Sequence, residues 1–146
     1  MKRFRYVPHT ADVAFVAYGK SIEEAMENAV LAMLNVMLDL KRISRSDAQT
    51  HSIRIREKAN NLDSLVWYTL QHILSAVDEK KLNAYGFRVL GISTAAKKSS
   101  ATLEGMLEVK VSKKDFSLLE VKAVTPHDMH VEKKRGLWSI RVLLDV

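Results

Sequence analysis

Two long stripes of apolar residues at helical spacing dominate the first half of the chain. Ile22, Ala25, Met26, Ala29, Val30, Met33, Leu34, Met37 and Leu38 recur every three or four positions, which is one face of an α-helix. Ser21 stands before the stripe and Glu24 three residues later, the pairing of a capping box. Asp39 sits at the end of this helix, where its negative charge opposes the helix dipole, so another interaction is expected to fix it there. The second stripe is Leu62, Leu65, Val66, Thr69, Leu70, Ile73, Leu74 and Val77, with Asn60-Asn61 offering a cap and Asp63 in the first turn. Between and before the stripes, residues 12–18 form a short apolar run that reads as a strand, broken by Gly19-Lys20. Residues 51–57 alternate Ile53 and Ile55 with Arg54 and Arg56, a strand with one wet face. Residues 40–50 are polar and basic and read as a connection.

The second half changes to period two. Residues 86–95, 101–111, 118–125 and 137–146 read as strands, with 129–133 extended between the last two. Lys97-Lys98-Ser99-Ser100 suits a hairpin connection, Pro126 favours an interruption, and Arg135-Gly136 turns the chain. The order is β-α-β-α and then about five antiparallel strands, which predicts an α+β protein with two helices packed on a mostly antiparallel sheet. Some strands are expected to be covered on both faces. No linker, repeat or low-complexity tract divides residues 1–146, so a single domain is expected.

Composition narrows the function classes. The chain of 146 residues has no cysteine, which removes thiolate catalysis and Cys-rich zinc sites. No run approaches the roughly 18 apolar residues of a membrane span, and the basic start has no apolar run behind it, so the expectation is a cytoplasmic protein. Twenty-three Lys and Arg against 17 Asp and Glu give a net charge of +6, which permits a polyanionic partner without proving one. There is no Walker A loop, dinucleotide fingerprint or serine nucleophile elbow. Gly19-Lys20-Ser21 has the tail of a P-loop without its glycine-rich cradle.

Three carboxylates carry the candidate chemistry. Asp12 follows His9-Thr10-Ala11 and opens a strand, Asp39 ends the first helix, and Asp145 follows the apolar run of the last strand. Singly, each has an ordinary role as a turn, helix-end or strand-end residue. Together with an α-carboxylate oxygen from Val146 they make a hard-oxygen donor set of the kind calcium prefers. Antiparallel neighbours would bring Asp12 and Asp145 together; parallel ones would separate them. The five histidines have no compact ligand spacing, and His9, close to Asp12, is the best catalytic candidate among them.

The same residues carry a family resemblance. His9-Thr10-Ala11-Asp12 followed by Gly19-Lys20-Ser21-Ile22-Glu23-Glu24-Ala25, then Met37-Leu38-Asp39, then Glu120-Val121-Lys122-Ala123-Val124-Thr125, and finally Trp138 to Leu144-Asp145-Val146 resemble the archease family, colinearly over essentially the whole chain. The resemblance implies a strand–helix–strand–strand module with an inserted segment. It implies an accessory protein, not a self-standing enzyme, that promotes guanylylation of the active-site histidine of the tRNA-splicing RNA ligase, restores multiple turnover and broadens nucleotide use. It implies a metal site, calcium in kind, at Asp12, Asp145 and Val146, with Asp39 at the acidic helix-end position and implicated in activation. The implied partner is the ligase catalytic subunit, with tRNA met indirectly or weakly and no DNA or membrane. Pro8 stands where an acidic residue is common, the segment 97–119 is short and lacks the family's His-Pro, and Leu119 replaces a frequent Thr. The competing readings are an RNA-binding chaperone or modulator of tRNA-processing enzymes, which the charge permits, and a metal-dependent hydrolase, which lacks a convincing base or nucleophile.

Overall fold

A computed structural model describes residues 1–95 and 99–146. The elements in chain order are β1 (Phe4–Val7), β2 (Val13–Gly19), α1 (Ile22–Met37), α2 (Leu40–Arg45), β3 (Thr50–Ala59), α3 (Leu62–Lys80), β4 (Asn83–Ala95), β5 (Ser100–Lys110), β6 (Ala123–Lys134) and β7 (Leu137–Asp145). The strands form two antiparallel sheets, not one: four strands in the order β1-β2-β7-β6 and three in the order β3-β5-β4. The α+β class holds, and among the described residues four strands follow α3 where about five were expected. The hairpin placed at 97–100 falls largely on Lys97 and Lys98, outside the described residues.

The two long helices bridge the sheets. α1 lies against β2 and β7 of the first sheet and β4 of the second; α3 lies against β6 of the first and β3 and β5 of the second. This double contact explains why Ala25, Met26, Ala29, Val30, Ala32, Met33, Leu34 and Met37 are all buried, more than one face of a helix supplies. Polar side chains reinforce both contacts. Asn28 Nδ2 donates to the Tyr18 carbonyl of β2 at 2.7 Å, and Glu27 Oε2 accepts from Val89 N–H of β4 at 2.8 Å, beside a bulge. From α3, Trp67 Nε1 donates to the Val124 carbonyl at 2.6 Å and Gln71 Oε1 accepts from Val124 N–H at 3.0 Å. Those two bonds satisfy the main-chain groups of Val124 on the open side of β6, an edge strand of its sheet.

The start of α1 is built as expected, with one shift. Ser21 Oγ accepts from Glu24 N–H at 3.1 Å, but Glu24 Oε1 reaches back to Lys20 N–H, one residue before the cap. A Cβ at Gly19 would collide with the backbone of Ala25 and Ser21, so the close entry of β2 into α1 requires glycine.

Two expectations change. Residues 118–122 are not a strand: β6 starts at Ala123, and the preceding segment is held by single bonds, Leu118 N–H to the Met37 carbonyl at the end of α1 and Lys122 N–H to the Asp145 carbonyl of β7. Its alternating apolar residues could not report this, because Leu118 and Leu119 stay exposed. Residues 40–50 are not wholly a connection, since α2 occupies 40–45. A helix this short has too few turns to show a periodic stripe, and it buries only Ile43. Coverage on both faces is seen in β2 and β7, where Ala14, Phe15, Val16 and Ala17 pair with Leu143, Val142, Arg141 and Ile140.

Gly19→Ala should lower the urea midpoint, costing about 1–3 kcal/mol by overpacking, with the slope unchanged. β1 supplies a second test. Tyr6 Oη donates to the Ala32 carbonyl of α1 at 2.8 Å, and burial pushes its phenol above the ordinary 10.0, partly offset by a hydrogen bond from Asn35. A raised folded value favours the neutral phenol, so this stability is intact below pH 10.0 and is lost as pH rises through the folded value. Tyr6→Phe should flatten the alkaline loss of thermal midpoint above that pH; an unchanged alkaline limb would show that the Tyr6 phenol titrates alike in the folded and unfolded chain.

Candidate metal centre and its surroundings

The register of β2 on β7 decides which carboxylates meet. Val13 pairs with Leu144, Phe15 with Val142 and Ala17 with Ile140, all antiparallel. Carried one step beyond Val13 and Leu144, the last paired residues at this end, the same register would set Asp12 opposite Asp145. Directly opposed like charges on neighbouring strands are destabilising unless a counter-charge joins them. β6 flanks the pair on the other side, with Ala123 opposite Asp145 and Lys122 N–H donating to the Asp145 carbonyl at 2.7 Å. His9 Nδ1 lies 3.8 Å from Asp12 Oδ2, and 3.1 Å from the Thr10 carbonyl. Asp12 is 29% exposed, so the pair is open to solvent. Ala11 adopts φ +68°, a left-handed conformation that ends the approach to β2. Val146 follows β7 directly and packs partly against the core.

Asp39 has a different setting from the one its sequence position suggests. α1 stops at Met37, with Leu38 extended as its cap, and Asp39 is the N-cap of α2. Its Oδ1 accepts from Arg42 N–H at 3.2 Å. The charge that opposes the dipole of α1 therefore sits at the N-terminus of the next helix, where it is favourable. Asp39 N–H donates to the Phe116 carbonyl and Leu118 N–H to the Met37 carbonyl, each at 2.8 Å, and the Arg42 guanidinium lies 5.1 Å from the centre of the Phe116 ring. Asp115 shapes that segment by accepting from Ser117 N–H at 2.9 Å. The Ser117 hydroxyl, then its N–H, holds the exposed Asp115 carboxyl below its ordinary range.

Asp12, Asp39 and Asp145 do not converge as a three-carboxylate cluster. Among the described residues no three His, Cys, Asp or Glu side chains are placed to hold one ion. The side-chain donors that the continued register would bring opposite each other are two, both carboxylates. That donor chemistry fits a hard, oxygen-seeking cation completed by main-chain oxygens and water, and does not fit zinc. The segment 115–118 was not legible as a neighbour of Asp39, because nothing local in its sequence marks a pairing with residues almost eighty positions earlier.

Asp39→Ala should cost about 1 kcal/mol in urea unfolding through loss of the α2 cap, whereas Asp39→Asn should keep it. Equal losses would mean that the carboxylate charge, not the cap, holds α2.

Comparison with known proteins places the chain. Residues 4–146 match the Archease protein family (MTH1598/TM1083). The protein archease of Methanosarcina barkeri is 34% identical over 145 residues, covering 99% of this chain and 97% of that one. The solution structure of Methanobacterium thermoautotrophicum protein 1598 superposes with a TM-score of 0.78 at 31% identity, over 100% of both chains. The crystal structure of an archease, described as a possible chaperone, from Thermotoga maritima shares the fold with a TM-score of 0.58 at 18% identity, over 96% of this chain and 94% of that one.

Proposed function

We propose that this chain, which belongs to the archease family, activates a tRNA-splicing RNA ligase, promoting guanylylation of the ligase's active-site histidine, sustaining multiple turnover and widening its choice of nucleoside triphosphate. Family membership supports the coarser statement, an accessory role beside an RNA ligase. The observation that supports the finer one is the antiparallel register of β2 on β7, which, continued one step past Val13 and Leu144, would set Asp12 opposite Asp145 at a solvent-open end of the sheet.

In this reading Asp12 and Asp145 hold one divalent cation, calcium in kind, with main-chain oxygens of Val146 nearby. Such a cation supplies charge neutralisation for phosphate oxygens. Asp39 acts separately: it caps α2 and offers its second carboxylate oxygen to the ligase at the junction of α1 and α2. His9 orients Asp12 from one side. The chain itself brings no nucleophile, and the reacting histidine belongs to the partner. No described helix is long and apolar enough to cross a membrane, which is compatible with a cytoplasmic site of action.

With limiting ligase, GTP and excess RNA bearing a 2′,3′-cyclic phosphate or 3′-phosphate, wild-type protein should convert a single turnover into many. Asp12→Asn and Asp145→Asn should each lose most of this effect while remaining folded. Ligation that ignores the wild-type protein would remove the activator role, and activation untouched by both substitutions would remove the carboxylate pair from it.

A further inference from the structure

Asp145 takes its place from β6 and not from β2. The β2–β7 ladder ends at Val13 and Leu144, whereas Asp145, the last residue of β7, pairs with Ala123 of β6. Lys122 N–H adds its bond to the Asp145 carbonyl. The part of β6 that makes these contacts is short. Ala123, Val124 and Thr125 pair with Asp145, Leu144 and Leu143, and the ladder then breaks until His130 meets Arg141. In that gap residues 126–129 stand against Val142 alone; Pro126 has no N–H to give, and Asp128 adopts φ +59°. On the other side, among the described residues, the segment 118–121 is tied by one main-chain bond, from Leu118 N–H to the Met37 carbonyl. A strand end cut off on both sides gains little rigidity from its own ladder and opens locally at low cost.

Helix α3 supplies the missing hold. Gln71 Oε1 accepts from Val124 N–H at 3.0 Å, and Trp67 Nε1 donates to the Val124 carbonyl at 2.6 Å. The two side chains lie one helical turn apart and act on β6 as a neighbouring strand would, at the middle of its isolated end. Their base is firm, since Leu65, Val66, Leu70, Ile73 and Leu74 of α3 are all buried.

We infer that Gln71 and Trp67 are positioning residues for the cation site: by gripping Val124 they fix the end of β6, which sets where Asp145 stands relative to Asp12. This rests on the metal reading proposed above. Neither side chain is a ligand; both act through the main chain of residues 122–124. An ion held by few protein oxygens depends on their separation, and partners one shell out from the ligands commonly change metal affinity 10–100-fold.

The test pairs calcium affinity, read by calorimetry on the full chain, with amide hydrogen exchange in the metal-free protein. Gln71→Leu should weaken calcium binding about tenfold. It should also speed exchange of Lys122 N–H about tenfold relative to the amides of Ile140 and Val142 in the middle of β7. A merely destabilising change would move all three amides together. Gln71→Glu, which keeps an acceptor for Val124 N–H, should bind calcium at least as tightly as wild type and leave the exchange of Lys122 unchanged. Trp67→Phe, which keeps a ring and loses the donor, should act in the same direction as Gln71→Leu. Gly19→Ala, roughly 20 Å along β2 from Val13 at ~3.3 Å per residue, should lower stability and leave calcium affinity unaltered. Wild type that binds calcium beside a Gln71→Leu variant that binds it equally well would overturn this inference alone. So would an equal loss of affinity in Gly19→Ala. Wild type that binds no calcium would remove the metal reading and this inference with it.

Discussion

The antiparallel register of β2 on β7 is the constraint on which the rest depends. Pairing Val13 with Leu144 joins two regions from opposite ends of the sequence and makes β2 and β7 the central strands of the first sheet. It turns Phe15, Ala17, Ile140 and Val142 onto α1 and leaves Val16 and Arg141 on the opposite face. A slip of one residue would exchange the two faces, burying Arg141 and exposing Phe15. The apolar burial that fixes this register therefore also fixes which carboxylates stand opposite each other at its end.

Helix α1 links that sheet to the second. Its small residues, Ala25, Ala29 and Ala32, let strands approach from more than one side, while Met26, Met33 and Met37 fill the spaces between. Asn28 and Glu27 lie next to each other in sequence, and they bond to different sheets. The flexible methionine stripe thus belongs to the core, and the candidate residues sit where the core ends: Asp12 and Asp145 at the rim of the sheet, Asp39 where α1 gives way to α2.

Long periodic segments were legible because many residues repeat the same message. The first helical stripe up to Met37, the whole of the second and the strands 51–57 and 101–110 fall within the observed elements, and Ser21 and Asn61 are the observed caps; Leu38 and Val111 lie one residue beyond. What failed was short or non-local. β1 has four residues and α2 six, too few for either period to stand out. Division of the strands into two sheets depends on contacts with the helices, which no local pattern encodes. Asp12 and Asp145 were readable as candidates, and the sequence posed the right condition for their meeting, antiparallel neighbours. Asp39 was readable as an anomaly, but its explanation, a second helix beginning at once, needed the backbone.

The central claim is that one cation is shared across the β2–β7 pair. Calcium titration calorimetry on the wild type, Asp12→Asn, Asp145→Asn and the double variant addresses it directly. A shared site predicts one equivalent bound, near-complete loss in either single variant, and no further loss in the double, because two residues that act on one ion are not additive. Independent, additive losses, or calcium binding unaffected by either substitution, would contradict a site built by that register.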